Sequence, residues 1–252
     1  MGLQRIRGER GRYRILMLAG LAVCAATVAA ADTLHLAPRG LADGVVLNVP
    51  QRMLFVMRAG DVVARYPVAV GTPEWPTFIG PFTIDVKETD PVWEVPPSIQ
   101  EEQRRQGKPV LTRVLPGPTN PLGKYWLGLS EPGYGFHGTN APASIGKFTT
   151  HGCIRLRAKD LEELFARIEV GTPGVSIYEP VIVAVVGREL WLEAHRDAYR
   201  IDTRDVFAYV LEQAQAVAPA LTVHHDLVRR MLRERDGRAR RIDVEGDRGI
   251  FR

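Results

Sequence analysis

Cysteine is nearly absent from this chain: among 252 residues there are two, Cys24 and Cys153. The scarcity excludes the disulfide framework that staples small exported domains. Long apolar runs are scarce as well. The most apolar stretch, from Ile15 to about Val28, falls short of the ~20 residues that a comfortable membrane span needs. An excess of positive charge is also missing once its location is considered. The net charge is +4, yet Arg5, Arg7, Arg10, Arg12 and Arg14 stand against Glu9 alone in residues 1–31, leaving 28 basic and 28 acidic residues elsewhere. That balance argues against a nucleic-acid partner. No internal repeat or low-complexity tract is evident.

What is present at the start has a three-part layout. An Arg-rich segment, the apolar stretch and the small residues Ala29, Ala30 and Ala31 follow one another as in a secretory leader. Residues 1–31 are therefore expected to be a signal peptide cleaved before Asp32, with membrane attachment only through a retained leader. Cys24 belongs to that segment; Val23 before it is bulkier than a lipoprotein acylation site takes. Cys153 is then the sole thiol. It is buried and inert, paired with another chain, or reactive.

From Gly44 the text "GVVLNVPQRMLFVMRAGDVVARYPVAVGT" alternates short β-branched stretches with turn residues and reads as a β-meander. "GPFTIDVKET" and "YWLGL" read as further strands. Between them "PPSIQEEQRRQGKPVLTRVLPGPTNPLG" reads as a long functional loop on a rigid β scaffold. In "AKDLEELFARI" the period changes: Leu161, Leu164, Phe165 and Ile168 share a helical face, with Asp160 and Glu163 as an expected capping box. "GTPGVSIYEP" adds a last strand. The pattern predicts a mainly β domain over residues 44–180 with one helix behind the cysteine. Residues 181–252 are expected to form an extension, with a hairpin in "VIVAVVGRELWLEAH" and a helix in "DVFAYVLEQAQAVA". The arginine-rich end is expected to be a solvated or weakly docked helix with a frayed tail.

The chemistry concentrates in "FHGTN", residues 136–140, and "THGCIRL", residues 150–156. A cysteine becomes a useful nucleophile when an imidazole or converging backbone N–H groups stabilise its thiolate. Gly152 removes bulk just before Cys153, so that a carbonyl can approach backbone donors at residues 152 and 153, as in an oxyanion hole. His137 lies sixteen positions upstream, a loop length that brings two strands together.

These residues carry a resemblance. "GFHGTNAPASIGKFTTHGCIRLRAKDLEELF" resembles the active-site segment of the YkuD-type L,D-transpeptidases, whose pattern is HG, a spacer, a hydroxyl residue, any residue, Gly-Cys, an apolar residue and Arg or Asn. The likeness runs through "NPLGKYWLGLS" and "GTPGVSIYEP" and is greatest to the exported subgroup of Gram-negative bacteria; no LysM module is evident. It implies a β-sandwich-like mixed sheet with one helix after the cysteine, a periplasmic location, and peptidoglycan stem peptides as partners. It implies Cys153 as the acylated nucleophile, His137 as its base, the Gly138 carbonyl as the holder of the other imidazole nitrogen, and the Gly152 and Cys153 N–H groups, with that of His151 as a further candidate, as the oxyanion hole. Thr150 is the hydroxyl residue of the pattern. His151, Arg155 and Tyr134 are auxiliary or substrate-binding candidates, Arg155 facing a substrate carboxylate. The reaction implied transfers a tetrapeptide stem, with loss of D-Ala, through a thioester to an amine of a second stem, a free D-amino acid or a wall-anchored lipoprotein. It needs no metal or organic cofactor.

Blander readings stand beside these. An isolated cysteine before Ile154 is ordinarily a small buried hydrophobe. His137, His151 and Cys153 are also zinc-type ligands, without the paired spacing of a structural site. Arg155 can serve a surface ion pair. Strand alternation places His151 on the face of Cys153, while Tyr125, Trp126 and Tyr134 can be packing aromatics. His195, His224 and His225 receive no role. Within the same fold, water in place of the acceptor gives a carboxypeptidase or amidase-type hydrolase, and loss of chemistry gives a wall-binding module.

Overall fold

The computed structural model describes residues 34–243. The expected leader lies outside the described residues, as does Cys24.

The main body is one curled mixed sheet of eight strands in the order β11-β9-β8-β5-β12-β1-β2-β3. Its first three strands are the expected meander: β1 (Gly44–Asn48), β2 (Met53–Arg58) and β3 (Asp61–Pro67), joined antiparallel. The turns between them place Arg52 and Ala59 at positive φ. β4 (Val70–Gly71) leaves this sheet, and β5 (Gly80–Thr89) and β8 (Tyr125–Leu129) rejoin it as an antiparallel pair. β9 (Gly135–His137) follows against β8. Near the end of the segment, β12 (Pro173–Ile177) slots into the middle of the sheet, parallel to β1 and antiparallel to β5. Alternate side chains of each strand then face inward, so Leu47, Leu54, Ile84, Leu127, Phe136 and Ile154 meet in one core.

The long polar segment differs from the loop expected of it. It contains the ribbon of β6 (Trp93–Glu94) with β7 (Arg113–Val114), and helix α1 (Pro97–Arg105) between them. Pro97 in the first turn presets φ for a helix. The Glu101–Arg104 pair at 2.6 Å supports its exposed side. No residue of α1 is buried, so the apolar periodicity that would betray a packed helix is missing.

Helix α2 (Ala158–Arg167) buries Leu161 and Leu164 as its spacing predicts. The expected capping box does not form. The helix begins earlier, its N-cap is Arg157 with no side-chain cap, and Asp160 sits inside the first turn while Glu163 pairs with Arg167 at 2.7 Å.

Beyond Pro180 the hairpin of β13 (Val181–Val186) and β14 (Glu189–Ala194) is extended by β15 (Arg240–Arg241), and α3 (Val206–Val217) packs on it. Asp205 caps α3 by accepting from the Phe207 and Ala208 N–H groups. The arginine-rich helix corrects its expectation, while the expected frayed tail lies largely outside the described residues. Helix α4 (His225–Glu234) is docked, with Leu227, Val228 and Met231 buried in a second core; its arginines line only the outer face. A buried Glu193 ties this unit to the rest, accepting from His35, from the Leu36 N–H and from Gln51, and bonding His195. Among the described residues no helix is long and apolar enough to cross a membrane.

Candidate active site

The chain from His137 to Cys153 runs over a 3₁₀ turn at Pro142–Ser144 and through β10 (Phe148–Thr150), which pairs with β4. It returns as β11 (Ile154–Arg155), parallel to β9 with Ile154 opposite Phe136 and Arg155 opposite His137. Phe136 and Ile154 point into the core. Strand alternation therefore turns His137 and Arg155 to the other face, with Cys153 at the start of that row. The two motifs are thus on adjacent strands and on one surface.

The loop before the thiol is held by hydrogen bonds. Thr150, buried, donates its hydroxyl to the Cys153 carbonyl at 2.6 Å and accepts from the Gly152 N–H at 3.1 Å. Thr77 donates to the Gly152 carbonyl at 2.7 Å. Gly152 has φ +106°, and a Cβ there would lie 2.8 Å from the Tyr134 ring and 3.2 Å from the Pro76 carbonyl. Only glycine satisfies both conditions. The same φ breaks the strand alternation assumed for His151 and Cys153. His151 turns instead to Glu102 of α1, at 3.0 Å, with the Trp75 ring 5.4 Å from its own.

The Gly152 N–H is engaged by the Thr150 hydroxyl, unlike the free donor expected for an oxyanion hole, and Thr150 leaves the N–H groups of His151 and Cys153 unengaged. The sulfur donates to the Gly133 carbonyl at 3.3 Å rather than to an imidazole nitrogen. Burial pushes the thiol pKa up, opposed by the Gly135 backbone and by Arg155.

His137 is buried, with its Nδ1 lacking any hydrogen-bond partner. Its pKa is lowered to about 4, first by burial and then by the Arg155 charge, while the Gly138 and Pro121 backbone pulls it back up. Those two backbone groups are placed by the "NPLG" turn. Asn120 donates to the Pro91 carbonyl at 2.8 Å and accepts from the Leu122 N–H, and the Gly138 N–H donates to Leu122 at 2.7 Å. A Cβ on Gly138 would meet the Leu122 carbonyl at 3.0 Å. On the other side, Trp126 lies 5.9 Å from the imidazole and covers Gly135, where a Cβ would fall 2.3 Å from the indole. Trp126 is therefore a wall of the site and not a remote packing aromatic.

Arg155 is half-buried; burial lowers its pKa and Cys153 raises it, with no carboxylate contributing. Its backbone bonds both ways with Ala69, at 2.9 and 3.0 Å. Tyr134 donates to the Pro76 carbonyl at 3.2 Å and meets Phe78 edge-on at 4.9 Å. It packs the loop. Thr77, Trp126, Asn120 and Glu102 gave no signal of their own, because each acts through a contact with a residue distant in sequence.

A curled mixed sheet with a buried imidazole at the end of β9 and a thiol on the loop leading into its parallel neighbour β11 defines a cysteine-centred candidate site. The model of the YkuD L,D-transpeptidase catalytic domain matches residues 42–183, more than half of the chain, and the chain belongs to that family. Among curated relatives, the "Probable L,D-transpeptidase ErfK/SrfK" of Salmonella typhimurium is 34% identical over 171 residues, 65% of this chain and 53% of the relative. The "Probable L,D-transpeptidase YbiS" of Escherichia coli is 35% identical over 152 residues, 60% of this chain and 47% of the relative. The chain thus spans about half the length of these relatives. Solved structures that match include an L,D-transpeptidase from Mycobacterium smegmatis (TM-score 0.40, 24% identity, 53% of this chain and 57% of that one). Another is the catalytic domain of an Enterococcus faecium L,D-transpeptidase (TM-score 0.43, 22% identity, 54% and 98%).

Proposed function

We propose that this protein is a peptidoglycan L,D-transpeptidase working in the periplasm. The observation that supports the reading is the pairing of β9, which ends in His137, with β11, which directly follows Cys153; the buried Nδ1 of His137, without a hydrogen-bond partner among the described residues, is assigned as the proton acceptor. Family membership supports it.

With the imidazole pKa lowered and the thiol pKa raised, both groups are neutral before substrate arrives. Substrate binding displaces water and brings the carbonyl of the third stem residue over the sulfur. Nδ1 of His137 takes the thiol proton, the sulfur adds to the carbonyl, and the Cys153 N–H faces the oxyanion. Collapse breaks the bond to D-Ala, whose amine leaves with the proton held by His137. An acceptor amine then loses a proton to His137 as it adds to the thioester, and the thiol is regenerated. Arg155, with no carboxylate acting on it among the described residues, supplies the positive charge for a stem carboxylate. The acceptor is a second stem, a D-amino acid or the lysine of a wall-anchored lipoprotein.

Intact-mass spectrometry with a disaccharide-tetrapeptide tests the reading. A thioester adduct on the native protein, absent from Cys153→Ala and His137→Gln, with cross-linked product when an amine is supplied, is expected. Tripeptide alone would indicate a hydrolase, and glycan binding without adduct or turnover a binding module; either overturns the transferase.

A further inference from the structure

The region beyond Pro180 is linked to the Cys153 loop by way of Tyr199 and Thr77. We infer that Tyr199 is a positioning residue for the oxyanion donor of the site, so that the C-terminal unit is part of the machinery and not an appendage. The inference rests on the proposed acyl transfer for its consequence, but its geometry stands apart from it.

Tyr199 lies in the segment between β14 and α3. Its hydroxyl donates to the Gly71 carbonyl at 2.9 Å and accepts from the Thr77 N–H at 3.0 Å, closing the loop from Gly71 to Thr77. Inside that loop the Thr77 hydroxyl accepts from the Gly71 N–H at 2.9 Å and donates to the Gly152 carbonyl at 2.7 Å. Thr77 is 1% exposed, so water does not replace these partners. The Gly152 carbonyl and the Cys153 N–H belong to one planar peptide unit and point in opposite directions. Whatever fixes that carbonyl therefore aims that N–H. Gly152 at φ +106° gives the plane no side chain of its own to hold it, and Thr77 is the group that does.

Tyr199 is itself held in place. Its ring stacks on Tyr178 at 5.3 Å and meets Phe148 of β10 at 5.9 Å, and its N–H donates to the Tyr178 hydroxyl at 2.8 Å, which donates in turn to Asp197 at 2.7 Å. Tyr209, from α3 of the same unit, also uses its hydroxyl across the junction, toward Glu179 at 3.3 Å, but touches nothing in the loop. It is the matched control.

The test compares Tyr199→Phe with Tyr209→Phe in the full chain, by hydrogen exchange of the amides at 71–77 and 150–155, by melting temperature, and by kcat and KM on the tetrapeptide. Tyr199→Phe is expected to speed exchange at both loops and to lower kcat roughly tenfold with KM little changed, less than the ~10²–10³ lost on deleting an oxyanion donor outright. Tyr209→Phe is expected to leave both unchanged. Thr77→Val, which cuts the same link on the loop side, is expected to reproduce the loss, and it serves if Tyr199→Phe does not fold. Exchange and kcat equal to those of Tyr209→Phe, whatever the melting temperature, would overturn the inference. An inert native protein would remove the proposed activity but leave exchange to decide on Tyr199.

Discussion

His137 and Arg155 stand opposite each other across the parallel pair of β9 and β11, and the arginine's charge is the second cause, after burial, of an imidazole pKa lowered to about 4 from 6.5. A base must be neutral to accept a proton, so the acid limb of kcat/KM is expected near pH 4. A limb near 6.5 would show that the imidazole is solvated in the working protein. Folding also favours the neutral ring. Its contribution to stability is complete above about pH 6.5 and is lost as pH falls toward and through 4, on the order of 3 kcal/mol in full. Urea titrations between pH 7 and 4 should show that loss, and His137→Gln should flatten it.

The neighbouring thiol tests the same electrostatics from the other side. Burial raises the Cys153 pKa above its ordinary 9.0, and the thiolate is the species that alkylates. Iodoacetamide should modify the free protein slowly at pH 7, with a rate still climbing at pH 9. A plateau below pH 7 would mean that a thiolate–imidazolium pair already exists without substrate.

Much of this site was legible in the sequence, and the reason is local. Gly152 before Cys153, and the spacing back to His137, are written in one continuous stretch, as is the apolar period of α2. What stayed hidden depended on long-range contacts. The role of Thr77 exists only because its loop folds 75 positions away onto Gly152. The strand alternation read for His151 failed because the positive φ of Gly152 turns the chain, and α1 stayed unread because it buries nothing. The docked α4 was masked by its arginines, although Leu227, Val228 and Met231 keep a helical period.

Gly152→Ala should both strain and crowd the loop. A positive φ and a Cβ 2.8 Å from Tyr134 together predict a loss of about 1–3 kcal/mol in urea unfolding and a fall in kcat well beyond it. Adding Tyr134→Ala relieves the clash and not the φ, so stability should recover only in part. Full recovery would place the whole requirement in sterics.

Thr150 uses its hydroxyl twice, toward the Gly152 N–H and the Cys153 carbonyl. Thr150→Val keeps the shape and removes both bonds, leaving two buried backbone groups unpaired at about 1–3 kcal/mol each. Thr150→Ser keeps them. Activity and melting temperature should fall together in the first and hold in the second; equal loss in both would assign the effect to the methyl group.

Glu193 presents a sharper case, because its carboxylate is fully buried and serves His35, the Leu36 N–H, Gln51 and His195 together. Burial alone would raise its pKa, but the bonds to the two histidines win and hold it at about 2. Removing the charge strands its donors in a space too tight for easy rearrangement, since Gly237 packs against the His195 ring. Glu193→Ala should therefore cost about 3–5 kcal/mol, the usual penalty for breaking a buried ionic cluster from one side. His35→Ala removes the outermost partner, a quarter exposed, and should cost far less. The His35 segment and the β13–β14 hairpin both bond Gln51 of the main body here, the first through the Leu36 carbonyl and the second through this carboxylate, so Glu193→Ala should also speed hydrogen exchange at residues 35–36 and 190–195 before that of β1. Uniform exchange across all three would mean that the cluster stabilises the molecule as a whole and does not fasten this junction in particular.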